Sequence, residues 1–424
     1  MENPARQPPS PWRWIPTLYF CEGIPNVVVT SLAVVMFKNL QVSNADITFY
    51  TSWLYLPWVI KPLWSPVVDL LGPKRRWIAG LQFLIGLAFA TVALTLPAPD
   101  FFRYTLAVLW LMAFSSATHD IAADGFYLLA LAPDRQAAFV GVRNTCFRLA
   151  TIAGKGGLVW LAGRWLGITG SVTQAWSAIF LILAGLFLLA GVYHLRTLAR
   201  FPEAAAAKRP RPTAAGFLRI FAAFFAKPGI GPALFFLLVY RLAEALALKL
   251  VEPFLLDARA AGGLGLTNEQ LGLAYGIGGV TALLAGGLLG GYLISRHGLR
   301  RLLWPMIFVM HAPIVIFLLL AMTQPSSLAV ISAALAVEQF GYGFGFTAYL
   351  VYMMMIADGE HKTAHYALCT GFMALGLMLP GLKAGWLQEQ VGYVSFFLWV
   401  CVATVPSFAA AALLRIDPAF GRKA

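Results

Sequence analysis

Apolar runs of about 20 residues recur along this chain with short polar breaks between them. A run of that length is what an α-helix needs to cross the ~30 Å hydrocarbon core of a bilayer. They fall at about residues 14–37, 47–71, 77–96, 104–131, 137–161, 175–195, 230–256, 271–294, 302–322, 328–357, 364–387 and 394–414, about twelve in all. The alternating segments of about ten residues that mark a membrane β-barrel are absent. Only 12% of the 424 residues are charged and 60% are hydrophobic, against roughly 25% charged in soluble domains. The chain therefore reads as an all-α polytopic membrane protein.

The basic residues set its orientation. Most of the 31 Lys+Arg fall in loops and tails on one side, among them Lys74, Arg75, Arg76, Arg196, Lys208, Arg209, Arg300, Arg301 and Lys423. Loops of the other side hold only Lys38, Arg103, Arg164 and Arg259. The positive-inside rule then puts both termini in the cytoplasm, as expected for a multi-pass protein of the inner (cytoplasmic) membrane. The formal net charge of +13 follows from this topology and gives no reason to invoke nucleic acid. The segment MENPARQPPSPWRW is polar and proline-rich and does not read as a cleavable signal, so the first span is expected to act as its own insertion signal. Cys21, Cys146, Cys369 and Cys401 lie in separate spans without CxxC spacing and read as small buried residues.

The longest inner loop contains FPEAAAAKRPRPTAAG and divides the chain into six spans on either side. Residues 1–197 are expected to form one six-helix bundle, 230–424 a second, and 198–229 a cytoplasmic linker. Within the linker FLRIFAAFFAKP is apolar but too short to span, and an interfacial helix is one reading of it. The halves resemble each other. Ser43-Asn-Ala-Asp46 and Thr267-Asn-Glu-Gln270 both look like capping boxes ahead of a helix. SPVVDLLGPKRR and GYLISRHGLRR both end a span in a basic turn, so that Asp69, Gly72, Lys74 and Arg75 align with Ser295, Gly298, Arg300 and Arg301. Parallel six-helix repeats are a transporter architecture, with the solute site near the midplane between them.

Charges inside the spans mark candidate sites, because each Asp, Lys or Arg at a helix centre costs roughly 2.5–3.5 kcal/mol and needs a partner or a polar cavity. In the fourth span, SATHDIAADGF carries His119, Asp120 and Asp124, and the i,i+4 spacing puts the two acids on one face. The fifth offers Arg148 and Lys155 seven residues apart, with Arg143 nearer the inner end. Glu22 in the first span and Glu244 in the seventh occupy similar places in the two halves, and Arg241 stands three residues before Glu244. Lys249 and Glu252 lie further along the seventh span, and Glu338 lies in the tenth. Acid on one span and base on the next would let protonation of the acid release the base, which couples a proton to a change of shape. Arg148 is the expected partner of Asp120 and Asp124. His119 is read either as a proton relay or as a hydrogen bond to a neighbouring helix. The glycines of GYGFGF and AGKGG sit inside apolar helices with no strand before them, so close helix packing is expected and a phosphate loop is not. No Ser/His/Asp set or metal-ligand cluster stands out, so neither an enzyme nor a cofactor is expected.

The basic turn resembles the G-x-x-x-D-x-x-G-x-[RK]-[RK] signature of the major facilitator superfamily, with Ser65 in place of the first glycine and Ser295 in place of the second aspartate. That resemblance implies the major facilitator fold, with Asp69, Gly72, Lys74, Arg75, Arg300 and Arg301 as gating residues. SATHDIAADGF is similar to the S-A-x-Q-D-I-A-x-D-[AG]-[WF] pattern of the AmpG-type muropeptide permeases and the related acetyl-coenzyme A transporters. LYFCEGIPN, KPLWSPVVD, YRLAEALALKLVEPFL, EQFGYGFG and KTAHYAL extend the likeness over nearly the whole chain. His119 departs from the usual glutamine, Glu244 from a shorter aspartate, and no further helix pair follows the twelfth. The resemblance implies a symporter: proton-driven uptake of anhydro-muramyl peptides by a monomer, with Trp53, Tyr55, Tyr342 and Tyr349 as candidate sugar-stacking rings. Another anionic or sugar-containing solute, efflux, or a non-transporting sensor or scaffold remain the alternatives.

Overall fold

The computed structural model of the chain describes residues 10–70, 72–131, 133–199, 214–359, 361–418 and 420. The described residues are almost all helical, and none lies in a strand. The spans are Pro11–Asn39, Lys74–Thr95, Phe101–Ala130, Val172–Thr197, Asn268–His297, Leu299–Thr323 and Leu328–Ala357 as the first, third, fourth, sixth, eighth, ninth and tenth. Three more are broken helices. The second is Asn44–Trp53 and Leu56–Leu70, the seventh Ile230–Val239 and Leu242–Leu256, and the fifth Pro133–Ile152, a π-helical Ala153–Leu158 and Val159–Thr169. The eleventh and twelfth run together in Lys362–Val402, turn at the non-helical Gly392 (φ 76°, ψ 169°) and end with Val405–Ala412. All twelve expected spans are therefore present. The fifth runs past its expected end near 161 because Arg164 lowers the hydropathy there without ending the helix. The stop is Gly170, in the left-handed region at φ 66°, where a glycine costs no Cβ clash.

Local signals behave as their chemistry requires. Ser43 Oγ accepts from the Asp46 amide at 3.0 Å. Thr267 and Gln270 exchange both bonds of a capping box, at 3.2 and 3.0 Å, which satisfies two amides that the helix start leaves free. The two basic turns share a backbone feature, since Gly72 has φ 89° and Gly298 φ 80°. Only glycine takes that conformation without strain, so this pair of aligned glycines serves the same turn in each half.

The described residues form two compact units, and these do not coincide with the sequence halves. One draws on Met1–Val29, Leu63–Gly154 and Ser171–Pro212, the other on Thr30–Pro62, Lys155–Gly170 and Thr213–Ala424. In the first unit the third span packs on the fourth and sixth, and Ile15–Val27 packs on Pro133–Ile152. Its core gathers Trp14, Leu18, Ile78, Ile121 and Phe126, with the Trp14 and Phe126 rings edge to face at 5.1 Å. In the second unit the tenth span packs on the eighth and ninth, and the eleventh packs on the seventh and on Asn44–Trp53. Phe236, Tyr240, Met306, Phe344 and Tyr349 lie at the centre of its core.

Glycine makes the closest of these helix contacts possible. A Cβ on Gly341 would run into the Val309 carbonyl, one on Gly343 into the Leu283 carbonyl, and one on Gly345 into Met310. Three alternate glycines thus seat the tenth span against the eighth and ninth, as the close-packing reading of GYGFGF expects. Gly156 of AGKGG faces Gly276 of the eighth span, backbone against backbone.

The linker helix Ala214–Phe225 buries Phe224 completely and leaves Leu218 68% exposed. Phe221 also packs on the core of the second unit, so one face of this short helix is held by protein and the other is apolar and open. Lys227 Nζ donates to the Asp358 carbonyl at 2.7 Å. Hydrogen bonding from Lys362, 3.2 Å away, holds the exposed Asp358 carboxyl below its usual range. Phe217 lies outside the side chains described.

Gly343→Val will force the eighth and tenth spans apart, with a destabilisation of about 1–3 kcal/mol or more by overpacking. A lowered unfolding midpoint in detergent measures it. Gly80→Ala is the control, since nothing lies within 4 Å of a Cβ there, and it should leave the midpoint unchanged.

Candidate functional site

Each unit holds polar clusters among its apolar helices. In the first unit Asp124 of the fourth span receives a 2.8 Å ion pair from Arg143 of the fifth and a 3.2 Å hydrogen bond from the Tyr19 hydroxyl of the first. The guanidinium also lies 4.6 Å over the Tyr19 ring and 5.7 Å from that of Tyr127, a cation–π clamp that orients it. Glu22, Asp120 and Asp124 each bring a carboxylate oxygen within 4.8 Å of the others. Glu22 is 6% exposed, and its Oε2 is buried with no hydrogen-bond partner among the described residues. The i,i+4 pair therefore does face one neighbour, and Glu22 joins it. The expected partner, Arg148, does not: it is half-buried and makes no ion pair among the described residues. Arg143, one and a half turns earlier, makes the bond instead, because the fifth span presents that face to Tyr19 and Asp124. Three close carboxylates could also hold a hard cation, but Arg143 already neutralises one of them.

In the second unit, π-helical turns aim polar groups inward. Such turns widen a helix and are frequent at functional positions. Val28–Leu32 carries Thr30 and Ser31, and Ala153–Leu158 carries Lys155. Ser31 Oγ donates to Glu252, and Lys155 Nζ reaches the same carboxylate at 3.4 Å. A cavity of about 60 Å³ opens here, lined by Thr30, Tyr55, Lys155, Lys249 and Glu252 with an aliphatic wall. Lower in the seventh span the helix breaks at Tyr240 and Arg241. Arg241 grips Glu244 through two bonds of 2.9 and 2.8 Å, donates to the Tyr342 hydroxyl at 2.7 Å and covers the Phe346 ring at 4.5 Å. Glu338 is 3% exposed and accepts from Gln339 Nε2 at 2.8 Å.

A further set, also in the second unit, joins the end of the first span and the start of the second to the ends of the seventh and eleventh and the start of the twelfth. Lys38 and Asp257 form an ion pair of 2.6 Å. Asn44 lies between them, accepting from Lys38 Nζ at 2.9 Å and donating to Gln388 at 2.8 Å and to the Tyr393 hydroxyl at 3.0 Å. Tyr393 in turn donates to Asp257 at 2.6 Å. Sequence reasoning missed this seam, because polar residues at helix ends look like ordinary loop chemistry.

The remaining candidates fall elsewhere. His119 is 1% exposed and shares a chain with Gln82 at 3.1 Å, which contacts His194 at 2.9 Å, which reaches the Thr17 hydroxyl at 3.0 Å. An amide in the middle of that chain links helices but does not pass protons readily, so the geometry favours the helix-joining reading of His119. Lys74 is buried and donates to the Val68 carbonyl at 2.8 Å. Arg75 donates to the Leu195 carbonyl, tying the turn at Gly72 to the end of the sixth span. Arg300 and Arg301 are exposed, and the Asp69 side chain lies outside those described. Tyr349 is fully buried, with its hydroxyl on the Leu237 carbonyl at 2.7 Å, and so belongs to the core rather than to a sugar platform. Tyr55 lines the cavity.

A double-mutant cycle with Lys38→Met and Asp257→Asn, read from unfolding midpoints in bicelles, should return a coupling of about 1–2 kcal/mol. That exceeds the 0–1 of exposed pairs because Asn44 and Tyr393 share the network. Additive single effects would reduce the seam to a surface contact.

The model of the BT1 family matches residues 22–227. The anhydromuropeptide permease of Escherichia coli (strain K12) is 26% identical over 397 residues, covering 92% of this chain and 76% of that protein. Among solved structures, that of the nucleoside transporter NupG with one substitution aligns with a TM-score of 0.71 at 15% identity, over 95% of this chain and 99% of the other. The D-xylose-proton symporter aligns at 0.68 and 12%, over 97% and 98%. These are permeases and transporters rather than enzymes. Twelve helices, the matching basic turns and a sequence likeness over 92% of the chain give this protein the major facilitator fold and the character of a membrane transporter similar to the AmpG-type permeases.

Proposed function

We propose that this transporter takes up anhydro-muramyl peptides with protons across the inner membrane by alternating access, as a monomer with both termini in the cytoplasm. The solute is argued from the likeness to the E. coli anhydromuropeptide permease. Proton coupling rests on one observation, three carboxylates within 4.8 Å of one another, one of them paired with the Arg143 guanidinium. Ionising all three would crowd like charges together in an apolar surround, where each costs roughly 2.5–3.5 kcal/mol. Protons bound at Glu22, Asp120 or Asp124 offset that cost, and their loss returns Arg143 to a full set of anions. The grip of Arg143 on the fourth span is then strongest when the protons have left, which ties the helix arrangement to the proton.

The sequence halves 1–197 and 230–424, joined by 198–229, are the bodies that rock in this reading. By the positive-inside orientation the Lys38–Asp257–Asn44 seam lies at the outer end, where it closes the way from outside. The basic turns with Lys74, Arg75, Arg300 and Arg301 lie at the cytoplasmic end and act as the opposing gate.

Uptake into proteoliposomes tests this. Radiolabelled anhydro-muramyl tripeptide should accumulate several-fold faster with an acid exterior than without a pH gradient. Glu22→Gln should lose gradient-driven accumulation yet keep solute exchange at equal pH, since the solute path remains intact. Equal uptake with and without the gradient would sink proton coupling. Loss of exchange and accumulation together would make Glu22 structural.

A further inference from the structure

Lys249 differs from the other buried cations of the second unit. It is 5% exposed, yet no carboxylate lies within 4.0 Å of its ammonium among the described residues. Its contacts are the Thr51 hydroxyl at 3.2 Å and the face of the Tyr55 ring at 4.7 Å. Thr51 already donates to the Ile47 carbonyl at 2.6 Å, so the hydroxyl oriented toward Lys249 is an acceptor only. A buried cation held by one neutral acceptor and one ring is poorly compensated. Arg241, by contrast, has its own bidentate Glu244, and Lys155 has Glu252.

The cavity beside it supplies what is missing. Lys249, Lys155 and Glu252 all line a space of about 60 Å³, so its wall carries one more positive than negative side chain. That volume equals roughly two waters' share of liquid at about 30 Å³ each. It is far below the ~300–1,000 Å³ of a pocket for a whole ligand. The space fits a single oxyanion group, and the surplus of one charge matches a monoanion.

We propose that Lys249, backed by Thr51, Tyr55 and Lys155, is the subsite that receives an oxyanion of the carried solute, best matched by a carboxylate. This rests on the transport reading above and adds to it which chemical group of the solute is recognised. The Tyr55 ring closes one side of the ammonium, so the anion approaches from the cavity. Glu252 sets the opposite limit: it repels a second negative charge and favours a carboxylate over a dianionic phosphate.

Binding to the full-length protein in nanodiscs tests the subsite with three probes: anhydro-muramyl tripeptide, the same peptide with its carboxylates amidated, and UDP-N-acetylglucosamine as a phosphate-bearing probe. The wild type should bind the acid at least 10-fold tighter than the amide. Lys249→Gln and the volume-matched Lys249→Met should lose that preference while binding the amide as before, and Lys249→Arg should keep much of it. An unchanged acid-to-amide ratio in both neutral variants would overturn the subsite and leave muropeptide transport standing. Wild-type protein that ignores both peptides but binds the nucleotide sugar through Lys249 would support the subsite and remove the muropeptide reading. Absence of any Lys249-dependent probe binding would overturn the subsite itself.

Discussion

A charge carried on an apolar helix has no water to stabilise it, so its counter-charge must come from a neighbouring helix. Arg143 against Asp124 joins the fifth span to the fourth, and Lys155 against Glu252 joins a later part of the same fifth span to the seventh. One helix thereby contributes to both compact units. Arg143 precedes the π-helical Ala153–Leu158 and Lys155 lies within it, and the division between units falls between Gly154 and Lys155. The first span behaves alike: the division falls between Val29 and Thr30, inside the π-helical Val28–Leu32. In the second it falls after Pro62, a residue that cannot donate the helix hydrogen bond at that turn. The first and fifth spans are thus π-helical where they pass from one unit to the other.

Backbone irregularity and side-chain chemistry therefore occur at the same places. The π-turn of the first span delivers Ser31 to Glu252 and Thr30 to the cavity. The break at Tyr240 and Arg241 frees an arginine to grip Glu244 and Tyr342. Widened turns leave backbone groups less well bonded within the helix, and close glycine contacts such as Gly156 on Gly276 keep such backbone covered by protein.

Much of this was legible in the chain. Length and hydropathy of each apolar run set the twelve spans, the capping boxes at Ser43 and Thr267 formed as their side chains require, and the alternate glycines of GYGFGF packed as small residues do. The i,i+4 spacing of Asp120 and Asp124 implied a shared face, and the two carboxylates lie within 4.8 Å of each other, with a base against Asp124. The identity of that base was not legible. Arg143 and Arg148 are separated by five residues, and which of them meets Asp124 depends on the rotation of the fifth span about its own axis. Helix packing sets that rotation, and no spacing within one helix encodes it.

The sequence by itself determined the class of protein, because an apolar run of about twenty residues can satisfy its backbone in a bilayer only as a helix. It also marked the charges that needed partners. Tertiary structure decided which partners they found: that Glu22 joins the two aspartates, that Asn44 bridges Lys38 and Tyr393, that Tyr349 belongs to the core, and that Lys249 faces a cavity without an acid of its own. These are distances between residues far apart in the chain, set by how helices pack, and packing depends on all the helices at once.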